Sequence, residues 1–413
     1  MGNTNQPPSA SSEPTTSATP DDDFVSPPPR KRARRIRKSF SLRSLASYAS
    51  GRFSSRSRQS KEEDDEAKGR KRKHTDIQSI SSSPSTTSAS LLSIEKYWPA
   101  LVETAFEPQF GWRADICESD FIILNCVGSG RFGNVFRAMP RNSPQTQVAV
   151  KIQDKVRIVK AGAEDQIKNE VYVQKLLGKH RFVAELFDCW QTSRDLFSVM
   201  EYVDGYGDLF TLWSNYGEFS EELIRLYAAE IAFALEYLHQ RQVIHRDIKM
   251  ENISVDASLH CKLVDFGYAK ELQLQQQART ICGTLQYLAP EVARGQAYGF
   301  AVDWWSFGVL LFIMRTGQYP FPNGNAITHE ELTFEAHTYP ESCTQEFQLL
   351  INRLLVLDPT QRLSTTADLP FFENVNIEGI YNKDVPPWEI LKSEAKYSES
   401  KRFVDPFSFP NDF

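Results

Sequence analysis

The alternation of apolar and polar positions changes character along the chain. After Asp120, FIILNCVGSGRFGNVFRAM reads as a strand, a glycine-rich turn and a second strand. QVAVKI at 147–152 is a third strand, and the apolar spacing of EDQIKNEVYVQKLLGK is helical. Beyond about residue 205 the pattern is mostly helical, with segments at 220–240, 303–315 and 342–356. The fold class predicted is α+β, a small β-rich lobe before a larger helical one, with the functional cleft between them. The longest apolar run, Phe307 to Met314, is far below the ~18 residues of a membrane span, so a buried helix segment is expected there.

Composition changes this picture at the N-terminus. The net charge of −6 hides an asymmetry: residues 1–95 hold 17 Lys/Arg against 11 Asp/Glu, and the remainder holds 30 against 42. Residues 1–90 are crowded with Ser, Thr and Pro and carry few large apolar residues, too few to offset chain entropy, so a disordered basic tail is expected. Order is expected from about Leu91, with the aromatic-rich Tyr97–Trp112 stretch lying in an extension, 91–120, that packs on the domain following it. Two basic clusters, RKRARRIRK at 30–38 and KGRKRK at 68–73, suit either a nuclear import receptor or an acidic membrane. Between them, Leu42, Leu45, Ala46, Ala49 and Phe53 would share one face of a helix. No aromatic residues interleave with the basic ones, which argues against specific nucleic-acid binding. Six cysteines without a C-x-x-C pair suit a reducing compartment, so a cytoplasmic or nuclear protein is expected.

The candidate chemistry lies in four places. Gly128-Ser129-Gly130, Gly133 and Val135 form a glycine-rich loop followed by a strand rather than a helix, which disfavours a dinucleotide fold and suits backbone N–H groups approaching phosphate. Lys151 in VAVK stands sixteen residues past Val135, and Glu170 stands nineteen further on, on the predicted helix. A lysine held by that glutamate would be a fixed cation for nucleotide phosphates. VIHRDIKMEN then gathers Asp247, Lys249 and Asn252 in one short loop, and LVDFG places Asp265 eighteen residues after Asp247. In phosphoryl transfer a carboxylate orients the acceptor hydroxyl, a lysine neutralises the moving group, and an amide oxygen and a second carboxylate hold Mg2+. Each residue alone could be a satisfied turn residue; all of them in this order point to the chemistry.

These motifs resemble the eukaryotic protein kinases over residues 121–372, with 373–413 as a short C-terminal tail. Lys249, two residues after Asp247, is similar to the Ser/Thr class. DFGYAK, CGTLQYLAPE and VDWWSFGVLLF resemble the AGC group, and HRDIKMEN with FDCWQTSRDLF resembles its ribosomal protein S6 kinase-related branch. The resemblance implies a bilobal, monomeric serine/threonine kinase acting on protein substrates, using ATP and Mg2+. In it Asp247 is the base and Lys249 the phosphate-neutralising cation. Asn252 and Asp265 are the metal ligands. ATP is held by the Gly128–Val135 loop, Ala149, Lys151 and Glu170, with Met200 at the back of the pocket, Glu201–Val203 meeting adenine and Asp208 near the ribose. Glu291 is implied to pair with Arg362, Asp303 to bond the backbone of the catalytic loop, and Thr284 to contact Asp247 and Lys249. Thr280, with Arg246 as its cation, is where an upstream kinase would add an activating phosphate.

The chain also departs from the family. Met250 replaces the usual proline. Ser254 and Gln174 stand where leucines are usual, and Ile313 stands where basophilic relatives often carry a glutamate, while Glu251 is retained. Polar residues at 174 and 254 predict a weaker hold on ATP or a less stable active state, and keep open the reading of a pseudokinase scaffold. DPFSFPNDF, 405–413, suits the aromatic segment that AGC tails lay across the adenine pocket.

Overall fold

The structure, a computed structural model, describes residues 104–113, 115–321, 328–335, 337–365, 369–373 and 375–397. The expectations for the tail 1–90, the clusters 30–38 and 68–73 and the segment 405–413 lie outside these residues.

The N-terminal part holds β1 (Gly111–Trp112), β2 (Phe121–Ser129), β3 (Gly133–Pro140), β4 (Val148–Asp154), α1 (Lys155–Lys160), α2 (Glu164–Leu177), β5 (Leu186–Gln191) and β6 (Asp195–Glu201). Its strands form one sheet in the order β1-β5-β6-β4-β3-β2, antiparallel throughout except for β1 against β5. Each face is covered by a separate apolar cluster. One gathers Phe121, Val148, Val150, Trp190, Phe197 and Val199, with the Trp190 and Phe197 rings stacked at 4.9 Å. The other gathers Ile158 of α1 and Ile167 and Val171 of α2 with Leu196 of β6. Two-sided burial explains why β4 and β6 lack strict alternation.

The C-terminal part runs β7 (Gly205–Asp208), α3 (Leu209–Tyr216), α4 (Glu221–Gln240), β8 (Val243–Ile244), β9 (Ile253–Asp256), β10 (Cys261–Leu263), β11 (Lys270–Glu271), α5 (Pro290–Ala293), α6 (Ala301–Thr316), α7 (Gln345–Leu354), α8 (Ile377–Asn382) and α9 (Pro387–Tyr397). Side-chain caps start the helices: Ser220 accepts from Leu223 N ahead of α4, and Thr344 from Phe347 N ahead of α7. In α6 every residue but Ala301 and Arg315 is buried, so a helix apolar on all sides becomes the centre of the lobe. Each large apolar side chain buried there contributes about 1.5–3 kcal/mol. The expected helices at 220–240, 303–315 and 342–356 correspond to α4, α6 and α7 within a few residues, whereas α1, α8 and α9 were not anticipated.

Candidate active site

Strand register builds the ceiling of the cleft. Gly128 pairs with Val135, Val135 with Lys151, and Ala149 with Met200. Directly paired residues share a sheet face, as do Ala149 and Lys151 two apart, so Val135, Ala149, Lys151 and Met200 line one face. At Gly133 a side chain is excluded, because its Cβ would lie 1.8 Å from Ile152 O. At Gly128 and Gly130 a Cβ would make only ordinary contacts, so the protein's own packing does not demand glycine there. Their bare backbone leaves room for close approach of a ligand.

Helix α2 meets this face with two side chains one turn apart. The Glu170 carboxylate pairs with Lys151 Nζ. Burial works against the Lys151 ammonium, but Glu170 and Asp265 outweigh it and push its pKa up, so the cation persists. Gln174, 4% exposed, donates from Nε2 to the Met200 sulfur at 3.6 Å, a weak bond for a buried amide. The same helix also holds the segment after Asp265. Gln166 donates to Gly267 O at 3.0 Å, Asn169 to Ala269 O at 2.6 Å, and Tyr172 to the Glu271 carboxylate at 2.8 Å. Residues spaced three apart on the helix thus meet alternate residues of an extended chain.

Below lies the loop around Asp247. Its Oδ1 accepts from Thr284 N at 2.9 Å and Thr284 Oγ at 2.7 Å. Its Oδ2 accepts from Asn252 Nδ2 at 2.9 Å and pairs with Lys249 Nζ at 2.7 Å. Lys249 also donates to Thr284 Oγ at 2.8 Å. Burial opposes ionisation of Asp247, but Lys249 and then Thr284 prevail and hold its pKa below the usual carboxylate range. Both bonds made by Asn252 use its amide nitrogen, leaving Oδ1 as an acceptor. Asp265 takes a left-handed backbone, φ 59°, and its Oδ1 accepts from Gly267 N at 3.1 Å. An amide oxygen and a carboxylate fit Mg2+, which favours one or two protein oxygens beside phosphate and water.

The base of the site is fixed from α6. Asp303 accepts from His245 N at 2.9 Å, Arg246 N at 2.8 Å and His239 Nε2 at 2.8 Å. It thereby holds Arg246, at φ 68°, in a conformation that so bulky a residue rarely adopts. Arg362 grips the Glu291 carboxylate with two nitrogens, at 2.7 and 2.9 Å, and both residues are buried. Gly283, at φ 104°, lets the segment touch the loop; a Cβ there would lie 2.4 Å from Arg246 O.

A family model described as the protein kinase domain matches residues 121–370. The chain belongs to the protein kinase family. A Caenorhabditis elegans protein that bears a serine/threonine-protein kinase name is 40% identical over 75% of this chain and 72% of its own. The human ribosomal protein S6 kinase-related protein is 40% identical over 65% of this chain and 66% of its own, and the Drosophila protein kinase C eye isozyme 38% over 64% and 39%. The human and Drosophila relatives are AGC-group serine/threonine kinases, the group to which the motifs pointed. Protein kinases use ATP with Mg2+ on protein substrates.

Several residues that the motifs pick out also hold the fold together. Asp208 Oδ1 accepts from Thr211 N at 2.6 Å and caps α3. Glu201 carries an ion pair to Lys262 at 2.5 Å, and Val203, two residues on, is half-buried. Ser254 sits on β9, paired across to Asp208 and Lys262. Sequence reasoning missed the ladder from Gln166, Asn169 and Tyr172; their three-residue spacing was the only available signal.

Proposed function

We propose that this kinase transfers the γ-phosphate of ATP to serine or threonine hydroxyls of protein substrates. The observation that carries this reading is the Asp247 carboxylate, ionised and held by four hydrogen-bonding groups from Lys249, Asn252 and Thr284. Asp247 orients the acceptor hydroxyl and takes its proton late, when that proton has become acidic. Lys249, already spanning Asp247 and Thr284, places a fixed cation where charge moves. Lys151, kept charged by Glu170, serves the nucleotide phosphates beneath the Gly128–Val135 loop. Asn252 Oδ1 and the Asp265 carboxylate would hold the metal, which would supply positive charge beside the phosphates. Val135, Ala149 and Met200 make the adenine ceiling, with the Glu201–Val203 backbone at its edge and Asp208 towards the ribose.

Substrate choice follows from Glu251. Its Oε2 is buried without a hydrogen-bond partner among the described residues, and burial, with Asp208 and Asp247 nearby, pushes its pKa up. A substrate arginine or lysine close to the acceptor residue relieves both costs. Ile313, 2% exposed, is committed to the core and adds no second carboxylate. Thr280 is exposed, and its carbonyl accepts from Tyr298 OH, which in turn accepts from Arg246 Nη1 at 3.3 Å. A phosphate on Thr280 would find that guanidinium close by and order the segment.

The test is Asp265→Asn in purified full-length protein. Phosphotransfer to a degenerate serine/threonine peptide library should fall about a hundredfold or more while the melting temperature stays near wild type. Wild-type rates in this variant would sink the assignment, and a library with no basic preference would sink the role of Glu251.

A further inference from the structure

Resting on the kinase reading above, we propose that Arg137 is a positioning residue for the nucleotide: it ties the roof strand of the cleft to the crossover at Tyr202 to Asp204 and so sets the height of the adenine slot. Arg137 belongs to none of the motifs that point to phosphoryl transfer. Strand register nevertheless puts it on the roof. It pairs with Ala149 of β4 and stands two residues past Val135 on β3. It therefore shares the face that Val135, Ala149, Lys151 and Met200 line, on the side of Val135 away from the glycine-rich loop.

The half-buried guanidinium is held by its edges and by its face. Nε donates to Gln147 Oε1 at 2.6 Å, a bond within the roof itself. Nη2 meets the Asp204 carboxylate at 3.6 Å, and the central carbon lies 5.1 Å from the centroid of the Tyr202 ring. The Asp204 side chain is 60% exposed, and so open an ion pair contributes little by itself. Stack and ion pair together fix one orientation of a planar fork, which a lysine cannot reproduce.

The other end of the tie is a firm anchor. Tyr202, Val203 and Asp204 connect β6 to β7, and both of their flanks are fastened below. On one side Glu201 pairs with Lys262 of β10. On the other, Gly205 pairs with Asp256 of β9, so closely that a Cβ would lie 2.3 Å from the Asp256 carbonyl carbon. Val203, whose backbone stands at the adenine edge, lies between the two residues that Arg137 grips. Lifting the roof from the crossover breaks both contacts at once. A slot held at its working height spares the nucleotide the cost of ordering it, so the tie should show in affinity rather than in the chemical step.

The experiment compares the full chain with Arg137→Leu, Asp204→Asn and the two together. In Arg137→Leu the KM for ATP should rise roughly three- to tenfold, while kcat at saturating ATP stays within about twofold of wild type. Calorimetric affinity for ADP with Mg2+ should fall by the same factor as KM rises. Asp204→Asn should act in the same direction and add little to Arg137→Leu, because both cut one tie. Arg137→Lys should recover the affinity only in part. A folded Arg137→Leu protein with wild-type ADP affinity would overturn the proposal, as would a fall in kcat with KM unmoved, or effects of the two substitutions that simply add. Should Arg137→Leu fail to fold, Asp204→Asn alone decides by calorimetry, and an unchanged affinity overturns the tie. If wild type binds ADP without phosphotransfer, the kinase reading fails and the ADP affinities still decide the role of Arg137. A wild type that binds no ADP overturns both.

Discussion

At the scale of single residues, Asp303 shows how a scaffold group keeps a catalytic loop in an unfavourable shape. Its carboxylate is fully buried, yet its pKa is lowered: burial resists ionisation, and the bonds from His239 and the His245 and Arg246 backbone prevail. Asp303→Ala leaves the His245 and Arg246 backbone N–H groups without their acceptor, costing about 3–5 kcal/mol in chemical denaturation less whatever strain at Arg246 is relieved. A loss below about 1 kcal/mol would show that the loop is held by other means. The pH dependence has a definite sign. The folded pKa lies below the unfolded value near 4, so the stabilisation is present above about pH 4 and is lost as pH falls further. The gap between wild type and Asp303→Asn should therefore narrow only below that pH. The residue types at 247, 249, 252 and 265 were legible in the sequence because each bears a group that phosphoryl transfer needs. The orphan oxygen of Glu251 was not, since whether a carboxylate finds a partner depends on the whole surrounding fold.

At the scale of elements, α2 serves the site from three of its edges. One edge pairs Glu170 with Lys151, another holds the segment after Asp265, and its apolar edge receives Phe106 and Phe110. Its helical spacing was readable, as was the strand–turn–strand around Gly128–Val135. The six-residue helices α1 and α8 were not, because fewer than two turns cannot display a period and tertiary packing decides them. The polar residue at 174 stands out in the sequence as a weakness, and the structure shows its character: among the described residues the buried amide donates to a thioether. Gln174→Leu exchanges that weak bond for apolar packing at similar volume. It should stabilise the protein by about 1 kcal/mol, raising the melting temperature by about 2 °C with activity kept or increased. A lower melting temperature would mean that the amide makes a bond worth more than its burial costs.

At the scale of the whole molecule, the segment after the kinase domain returns to its waist. Tyr381 of α8 packs on Phe182, Phe233 and His180, with centroids at 6.0, 5.2 and 6.4 Å, and Arg181 donates to Asn382 O at 3.0 Å. Lys383 closes the contact on Asp256 at 2.7 Å. No periodicity announced this, because the partners lie far away along the chain. His180 sits at the centre, its ring stacked on Tyr237 at 3.9 Å. Burial, and then the neighbouring Arg241, Lys262 and Arg181, lower its pKa to about 4. Unfolded, the same imidazole titrates near 6.5, so the unfolded chain binds a proton that the folded one refuses. Stability from this site is complete above about pH 6.5 and is lost as pH falls towards 4, at up to about 1.4 kcal/mol per pH unit. His337 and His245, whose pKa values burial also lowers, add slopes of the same sign. Hence His180→Gln should flatten the denaturation free energy between pH 6.5 and 4 without abolishing its fall. The variant will also lose some stacking on Tyr237, which shifts the curve at every pH, so the slope and not the height is the quantity to compare. An unchanged slope would mean that His180 takes up its proton in the folded protein, and that the cluster around Tyr381 opens to admit it.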